Sequence, residues 1–330
     1  MTAPVSDPLL AAADAVLAAW GGALEPPRLI TMRENVVLAA RLTSGAEVAL
    51  RLHRPGYQDC AAITSELTWC AALAEAGAPV PRPVPTCAGG FTAPVPGAER
   101  WASCVEWRAG AAIGRGDRPL PGDRAEQVAL MHDLGAAIAR LHALSDVWVP
   151  PPGFVRPAWD AAALLGPAPR WGRFWENPAL GAQGRACVLE AATRARTALA
   201  EGERDWGLIH ADILRENVLR GPEGLVLIDF DDAGFGWRSH DLATALIQSL
   251  EEPALPELAM ALLAGYAAGG RAAPPVSELA LFVMLRAFAS AGWVLSRAGA
   301  DDARVALYAG RAERLARAYL DGCLPWEDPR

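Results

Sequence analysis

The amino-acid sequence predicts an α+β chain in two lobes, a small antiparallel β-rich lobe followed by a larger and mainly helical one. Three observations carry this. The 330 residues exceed what one hydrophobic core ordinarily organises. Short alternating apolar runs separated by turn residues dominate before Gly110. After Gly110 the apolar spacing is helical almost throughout, the exception being the stretch 207–230.

Taken in order, residues 6–20 show helical spacing, and strand-like runs follow at 29–31, 36–42 and 47–53. The last two are joined by the turn signal Thr43-Ser44-Gly45. A helix is expected over 59–76, ended by Gly77 and Pro79, and one more strand over 101–107. Helices are expected over 125–144, 183–200, 240–250, 255–268, 277–297 and 301–320. The stretch 148–175 is rich in Pro and Trp without clean periodicity and reads as a packed insertion. The lobes are therefore drawn at 1–107 and 108–330, with a short hinge near 107–110.

Composition excludes several function classes. With 52% hydrophobic and 21% charged residues, the chain has the material for a buried core and is no disordered protein. A net charge of −8 repels a phosphate backbone, so no nucleic-acid partner is expected. Every basic residue is Arg; no Lys occurs. The 6 cysteines form no C-x-x-C pair and no zinc-type spacing with His, so reduced thiols and a cytoplasmic location are expected. The apolar start contains Asp14 and no basic residue precedes Arg28, unlike a secretory signal. The apolar run 281–295 carries Arg286 in its middle and reads as a buried helix, not a membrane span. Nothing in the sequence specifies an oligomeric state.

The chemistry concentrates in 207–232, GLIHADILRENVLRGPEGLVLIDFDD. Two apolar runs flank Gly221-Pro222-Glu223-Gly224, a hairpin signal whose pairing sets Asn217 beside Ile228 and Asp229. An amide oxygen and a carboxylate, without His or Cys, suit a hard cation such as Mg²⁺. Asp212 lies on the loop entering the hairpin, where a carboxylate can accept a hydroxyl proton without ligating the metal. A lone D-x-x-x-x-N is a turn signature, because Asp and Asn side chains bond nearby backbone. Here H-x-D-x-x-x-x-N is followed one hairpin later by apolar-apolar-D-F-D-D, and that ordered pair points to catalysis.

HADILRENVL followed by LIDFDDAGFGWRSHDLATAL resembles the aminoglycoside phosphotransferase and choline kinase group, whose fold is bilobal and protein-kinase-like. Within it the chain is most similar to the branch of homoserine kinase type II and bacterial stress-response kinases. LRLHRPG, SELTWCAAL, GRFWENPAL and LIHADILRENVL carry that likeness over about 30–250. The resemblance implies Asp212 as catalytic base, Asn217 and Asp229 as Mg²⁺ ligands, His210 and Asp241 as supports of the catalytic loop, and ATP as phosphate donor.

The N-terminal lobe supplies an independent check. Ile63, Glu66, Leu67, Cys70 and Leu73 follow helical spacing, so Glu66 falls on an apolar stripe and needs a partner. Arg51, in VALRLHR, stands where the family usually places a basic residue on the third strand, and its fork suits a carboxylate or a phosphate. Glu66 is expected to orient Arg51 towards the ATP phosphates. A G-x-G-x-x-G loop is missing; Glu34-Asn35 in the first turn is the candidate for presenting backbone N–H groups to phosphate. The strand ending at Glu106 and Trp107 is the expected adenine-binding hinge.

Only about ten residues separate Asp229 from the next helix, too few for the long activation segment of eukaryotic-type protein kinases. A small-molecule hydroxyl acceptor is therefore expected, with homoserine the family-based choice and 148–175 as a lid. Trp171, Trp175, Trp237 and Trp293 could form an aromatic cage for an ammonium group. Two alternatives stand beside this reading: a bacterial serine/threonine protein kinase of the stress-response type, and a nucleotide-binding pseudokinase, which the Arg at position 51 would favour.

Overall fold

The computed structural model describes residues 8–32, 35–299 and 302–327. The chain forms two compact units. The first comprises Met1–Ala111 together with Trp148–Arg156 and Arg220–Asp231; the second comprises Ala112–Val147, Pro157–Leu219 and Asp232–Arg330.

The first unit opens with helix α1 (Pro8–Val16), continued by a 3₁₀ turn over Leu17–Trp20. Strands β1 (Arg28–Met32), β2 (Val36–Arg41) and β3 (Glu47–Leu52) then run antiparallel. Gly45 closes the β2–β3 turn in the left-handed region (φ 88°), which an L side chain reaches only at a cost. Helix α2 (Cys60–Glu75) starts on Asp59, whose Oδ1 accepts the Ala62 N–H at 2.8 Å. Short strands β4 (Pro83–Val84) and β5 (Thr92–Pro94) both pair with β6 (Trp101–Glu106), giving the path β1-β2-β3-β6-β4.

Pleat alternation decides which side chains face the core. Val36, Leu38, Ala40, Val48, Leu50 and Leu52 point inward with Leu17, Trp20, Ala102 and Cys104. Arg51, one step out of phase, is sent to the opposite face, opposite Val37 on one side and Ser103 on the other. Register thus turns a sequence position into a functional address.

The second unit contains helices α3 (Arg124–Val147), α4 (Ala161–Leu165) and α5 (Ala182–Ala200). After these come α6 (Arg238–Leu246), α7 (Leu255–Ala268), α8 (Val276–Trp293) and α9 (Ala303–Asp321). Helices α3 and α7 meet backbone to backbone. A Cβ at Gly135 would strike the Leu262 carbonyl, and one at Gly265 the His132 carbonyl, so only glycine permits this approach. Strands β7 (Ala111–Ala112), β10 (Val218–Gly221) and β11 (Gly224–Leu227) form a small sheet in the order β11-β10-β7. A second small sheet has the order β8-β12-β9, from Ala158–Trp159 (β8), Trp206–Ile209 (β9) and Gly234–Trp237 (β12).

The segment 148–175, expected as one irregular insertion, is divided. Residues 148–156 belong to the first unit, and the rest supplies β8 and α4 to the second. The 6 cysteines are unpaired. Among the described residues one helix, Val276–Ser296, is long and apolar enough to cross a membrane, and 83% of its apolar window is buried inside the fold.

Candidate functional site

Two constellations of polar side chains stand out, one in each unit. In the second unit β9 runs into the loop 210–217. Its backbone is fastened by Asp241, a fully buried carboxylate in the first turn of α6. Asp241 accepts the His210 N–H at 2.8 Å and the Ala211 N–H at 2.7 Å. Its third partner is the His142 Nε2, at 3.0 Å. Burial alone would raise the Asp241 carboxyl, but these donors, His142 foremost, hold it below the usual carboxylate range.

His142 is held in turn. Tyr266 Oη lies 2.9 Å from its Nδ1 and accepts from Arg271 Nε at 3.0 Å. The chain of donors therefore runs Arg271, Tyr266, His142, Asp241, with the imidazole neutral and its proton on Nε2. Burial lowers the His142 pKa, in keeping with that neutral form.

Ala211, between the two clamped amides and the loop's carboxylate, has φ 68°, a conformation that costs a non-glycine residue free energy and must be imposed by its surroundings. His210 is fully buried, and its Nδ1 accepts the Asp212 N–H at 3.3 Å, so it braces the loop. Beyond it, Asn217 Nδ2 donates to the Asp212 carbonyl at 2.9 Å and to Asp212 Oδ2 at 3.1 Å. That orientation commits the nitrogen and turns the amide oxygen away from Asp212, the disposition a hard-cation ligand requires. Arg215 anchors the loop's far end, donating to the Arg118 carbonyl, Ser249 Oγ and Glu252 Oε1, each at 2.9 Å.

In the first unit Arg51 donates from Nη2 to Asp229 Oδ1 at 2.6 Å, and its Nη1 lies 3.8 Å from Glu66 Oε1. A second guanidinium, from Arg156, reaches Glu66 Oε2 at 3.6 Å and caps the Phe230 and Asp231 carbonyls at 3.2 and 2.7 Å. Burial pushes Glu66 up to about 7 against the pull of Arg156 and Arg51. Asp229 has φ 67°, and its side chain is 42% exposed, so it keeps open access for a ligand. Asn35 lies here as well, accepting the Arg54 N–H at 2.9 Å and donating to Asp231 Oδ2 at 3.2 Å. Glu34 lies outside the described residues.

The backbone at the end of β6 is engaged. The Glu106 N–H donates to the Arg82 carbonyl at 2.8 Å, and the Trp107 N–H to the Glu47 carbonyl at 2.9 Å. The donors of an adenine contact would therefore have to come from neighbouring positions.

Sequence reasoning missed several members of these constellations, among them Arg215, Arg271, His142, Tyr266, Arg156 and Arg286. The last donates from Nη2 to Asp212 Oδ1 at 3.0 Å. The aromatic cage is not formed. The Trp171 ring carries Arg286 at 4.6 Å, and Arg297 and Arg304 lie over Trp293 at 5.1 and 5.6 Å, so the chain's own guanidinium groups occupy those faces. Trp237 packs on Trp206 and Phe282, and Trp175 on Phe174.

The oxygens on offer are hard in each unit: the Asn217 amide in the second, and the Asp229 and Asp231 carboxylates in the first. Among the described residues no three His, Cys, Asp or Glu side chains converge as a metal cage. Few protein ligands, with phosphate and water completing the shell, is the pattern Mg²⁺ prefers, so the residues present fit a metal carried in with a nucleotide.

Residues 33–278 match the phosphotransferase enzyme family. An aminopropanol kinase associated with a microcompartment has a solved structure that superposes with a TM-score of 0.81 at 30% identity, over 96% of this chain and 98% of that one. The structure of amicoumacin kinase hAmiN in complex with AMP-PNP, Ca²⁺ and Ami superposes with a TM-score of 0.71 at 19% identity, over 94% and 92% of the two chains. An amicoumacin kinase from Bacillus subtilis is 24% identical over 58% of this chain and 54% of its own length. A protein of Deinococcus radiodurans is 34% identical over 67% of this chain, and the matched regions span 61% of that relative's length and 54% of the amicoumacin kinase's.

Proposed function

The chain belongs to the phosphotransferase enzyme family, and from that premise we propose that it transfers the γ-phosphoryl group of ATP to the hydroxyl of a small molecule. The observation that carries the reading is the Asp212–Asn217 pair. One amide binds the carboxylate and its own loop through nitrogen, leaving its oxygen for a cation, while Arg286 donates to the carboxylate's other oxygen.

In this reading Asp212 receives the acceptor's hydroxyl proton as the O–P bond forms and the bond from the γ-phosphorus to the bridging oxygen breaks, releasing ADP. Asn217 and Asp229 would hold Mg²⁺. Bound metal neutralises phosphate oxygens, which is most of what phosphoryl transfer asks of a site. Arg51, steadied by Glu66, exchanges its hold on Asp229 for the nucleotide's phosphates, and Asn35 keeps the Asp231 side chain oriented. His210 and Asp241 keep the loop in place. The end of β6 at Glu106 and Trp107 flanks the adenine.

For the acceptor we favour a small alcohol bearing an amine, whether an amino alcohol or a hydroxy amino acid of homoserine type. The 30% identity to an aminopropanol kinase supports testing amino alcohols first. The short connection of 232–237 from Asp231 to α6 leaves no platform for a docked peptide, which disfavours a protein substrate.

The experiment is Mg²⁺-ATP consumption by the purified protein across amino alcohols, hydroxy amino acids, choline, aminoglycosides and a protein acceptor, with Asp212→Ala as blank. Acceptor-dependent turnover lost in Asp212→Ala is expected. Calorimetric titration should show Mg²⁺-ATP binding retained in Asp212→Ala and abolished in Asp229→Ala; equal affinity in the two variants would reverse the role assignment.

A further inference from the structure

Arg286 is the odd residue of α8. That helix buries Leu281, Phe282, Val283, Met284, Leu285, Ala287 and Phe288, and amid them the Arg286 side chain is only 5% exposed. Its guanidinium lies 4.6 Å above the buried Trp171 ring. Nη1 donates to Ser290 Oγ at 2.7 Å, one turn along the same helix, and Nη2 donates to Asp212 Oδ1 at 3.0 Å. Nε is buried with no hydrogen-bond partner.

Such a residue is a poor choice for stability. A buried guanidinium with one unsatisfied N–H carries a desolvation penalty that Met or Leu, equally at home on this helix, would remove. What it does accomplish is geometric. The second torsion of an aspartate side chain is broad and nearly two-fold, so one partner does not hold the carboxylate plane. Asn217 engages Oδ2 and Arg286 engages Oδ1, one from the loop itself and one from a helix that packs against α6 and α9. Together they hold the plane of the carboxylate.

We propose that Arg286 is a positioning residue for phosphoryl transfer, holding the Asp212 carboxylate in the orientation that receives the acceptor hydroxyl. The inference rests on Asp212 acting as the base. A loose phosphoryl-transfer transition state demands a well-aimed acceptor more than a strong base, so orientation is what this contact contributes.

The test uses the full chain and its best acceptor. In Arg286→Met, kcat should fall about 10- to 100-fold, the range of one hydrogen bond to a charged group. The KM for ATP should hold, and the melting temperature should hold or rise. Arg286→Lys, which keeps the charge within reach of Asp212, should recover part of the loss. Ser290→Ala, which frees one end of the guanidinium, should lose only a few-fold. Combined with Asp212→Asn, the Arg286→Met change should add little further loss, because the residue it positions is already disabled.

A kcat for Arg286→Met within about twofold of wild type would overturn the proposal, as would losses that multiply independently in the double variant. A loss that merely follows a fall in melting temperature, unrelieved by Arg286→Lys, would do the same by assigning the residue to packing. If the wild-type protein itself consumes no ATP with any alcohol, the phosphotransferase reading falls first, and that result is visible before any variant is made.

Discussion

Replacing Asp241 by Ala tests the whole support of the loop 210–217. The carboxylate accepts three donors at 2.7, 2.8 and 3.0 Å and is fully buried. Two backbone N–H groups and the His142 Nε2–H would be left without an acceptor. Breaking a buried charged contact by removing one partner costs about 3–5 kcal/mol, and we take about 4 kcal/mol for this site. For a chain of this length about 2 °C of melting temperature accompanies each kcal/mol, so scanning calorimetry should show a drop of about 8 °C. The loss should also be local: amide exchange at His210 and Ala211 should rise well above that of the α7–α8 core. Activity should fall about 100-fold, because a displacement near 1 Å at the reacting groups is enough for that. A melting temperature within about 2 °C of wild type, with unchanged exchange at these two amides, would refute the clamp.

Two further outcomes follow from the same geometry. His240 is fully buried, stacked on Trp159 at 5.6 Å, and neither ring nitrogen has a hydrogen-bond partner; burial and the nearby Arg286 push its pKa down to about 4. The stability contributed by the neutral ring is present above the unfolded value near 6.5 and lost as pH falls through the folded one. His240→Phe should therefore equal or exceed wild type in urea melts at pH 7, with an advantage that grows by about 1.4 kcal/mol per pH unit between 6.5 and 4. An advantage that shrinks on acidification would contradict this. Gly265→Ala places a methyl group against the His132 carbonyl and should cost several kcal/mol, of the order of ~3; a urea midpoint unchanged from wild type would show that α3 and α7 part easily.

The four longer strands of the first sheet and α2 are legible because their signals are local: alternation, a turn with glycine, a helix stop at Gly77 and Pro79. The same reading put Arg51 and Glu66 on facing elements, and the structure joins them as an ion pair. The two-residue strands are not legible, since nothing in so short a run distinguishes a strand from a loop. The aromatic cage misled because an indole face does not announce which cation covers it. Arg156 sits in a stretch without periodicity, where no pattern could assign its partners. Arg286 did leave a signal. Its charge in the middle of an apolar run marks a buried helix and not a membrane span, but a buried guanidinium also needs an acceptor, and the sequence leaves that acceptor unnamed. Long-range pairing over 74 positions, as between Arg286 and Asp212, is a property of tertiary packing alone.

Ala211 and Asp229 share an uncommon property: each is a non-glycine residue in the left-handed region, at φ 68° and 67°. Glycine would adopt that conformation without strain, but it would also leave those peptides many alternatives when the surroundings loosen. A side chain at each position narrows the alternatives, so the ordering is completed when the chain folds instead of when a ligand arrives. Binding then draws little entropy from the loop 210–217 or from the Asp229 turn, and affinity is left to depend on contacts with the ligand itself.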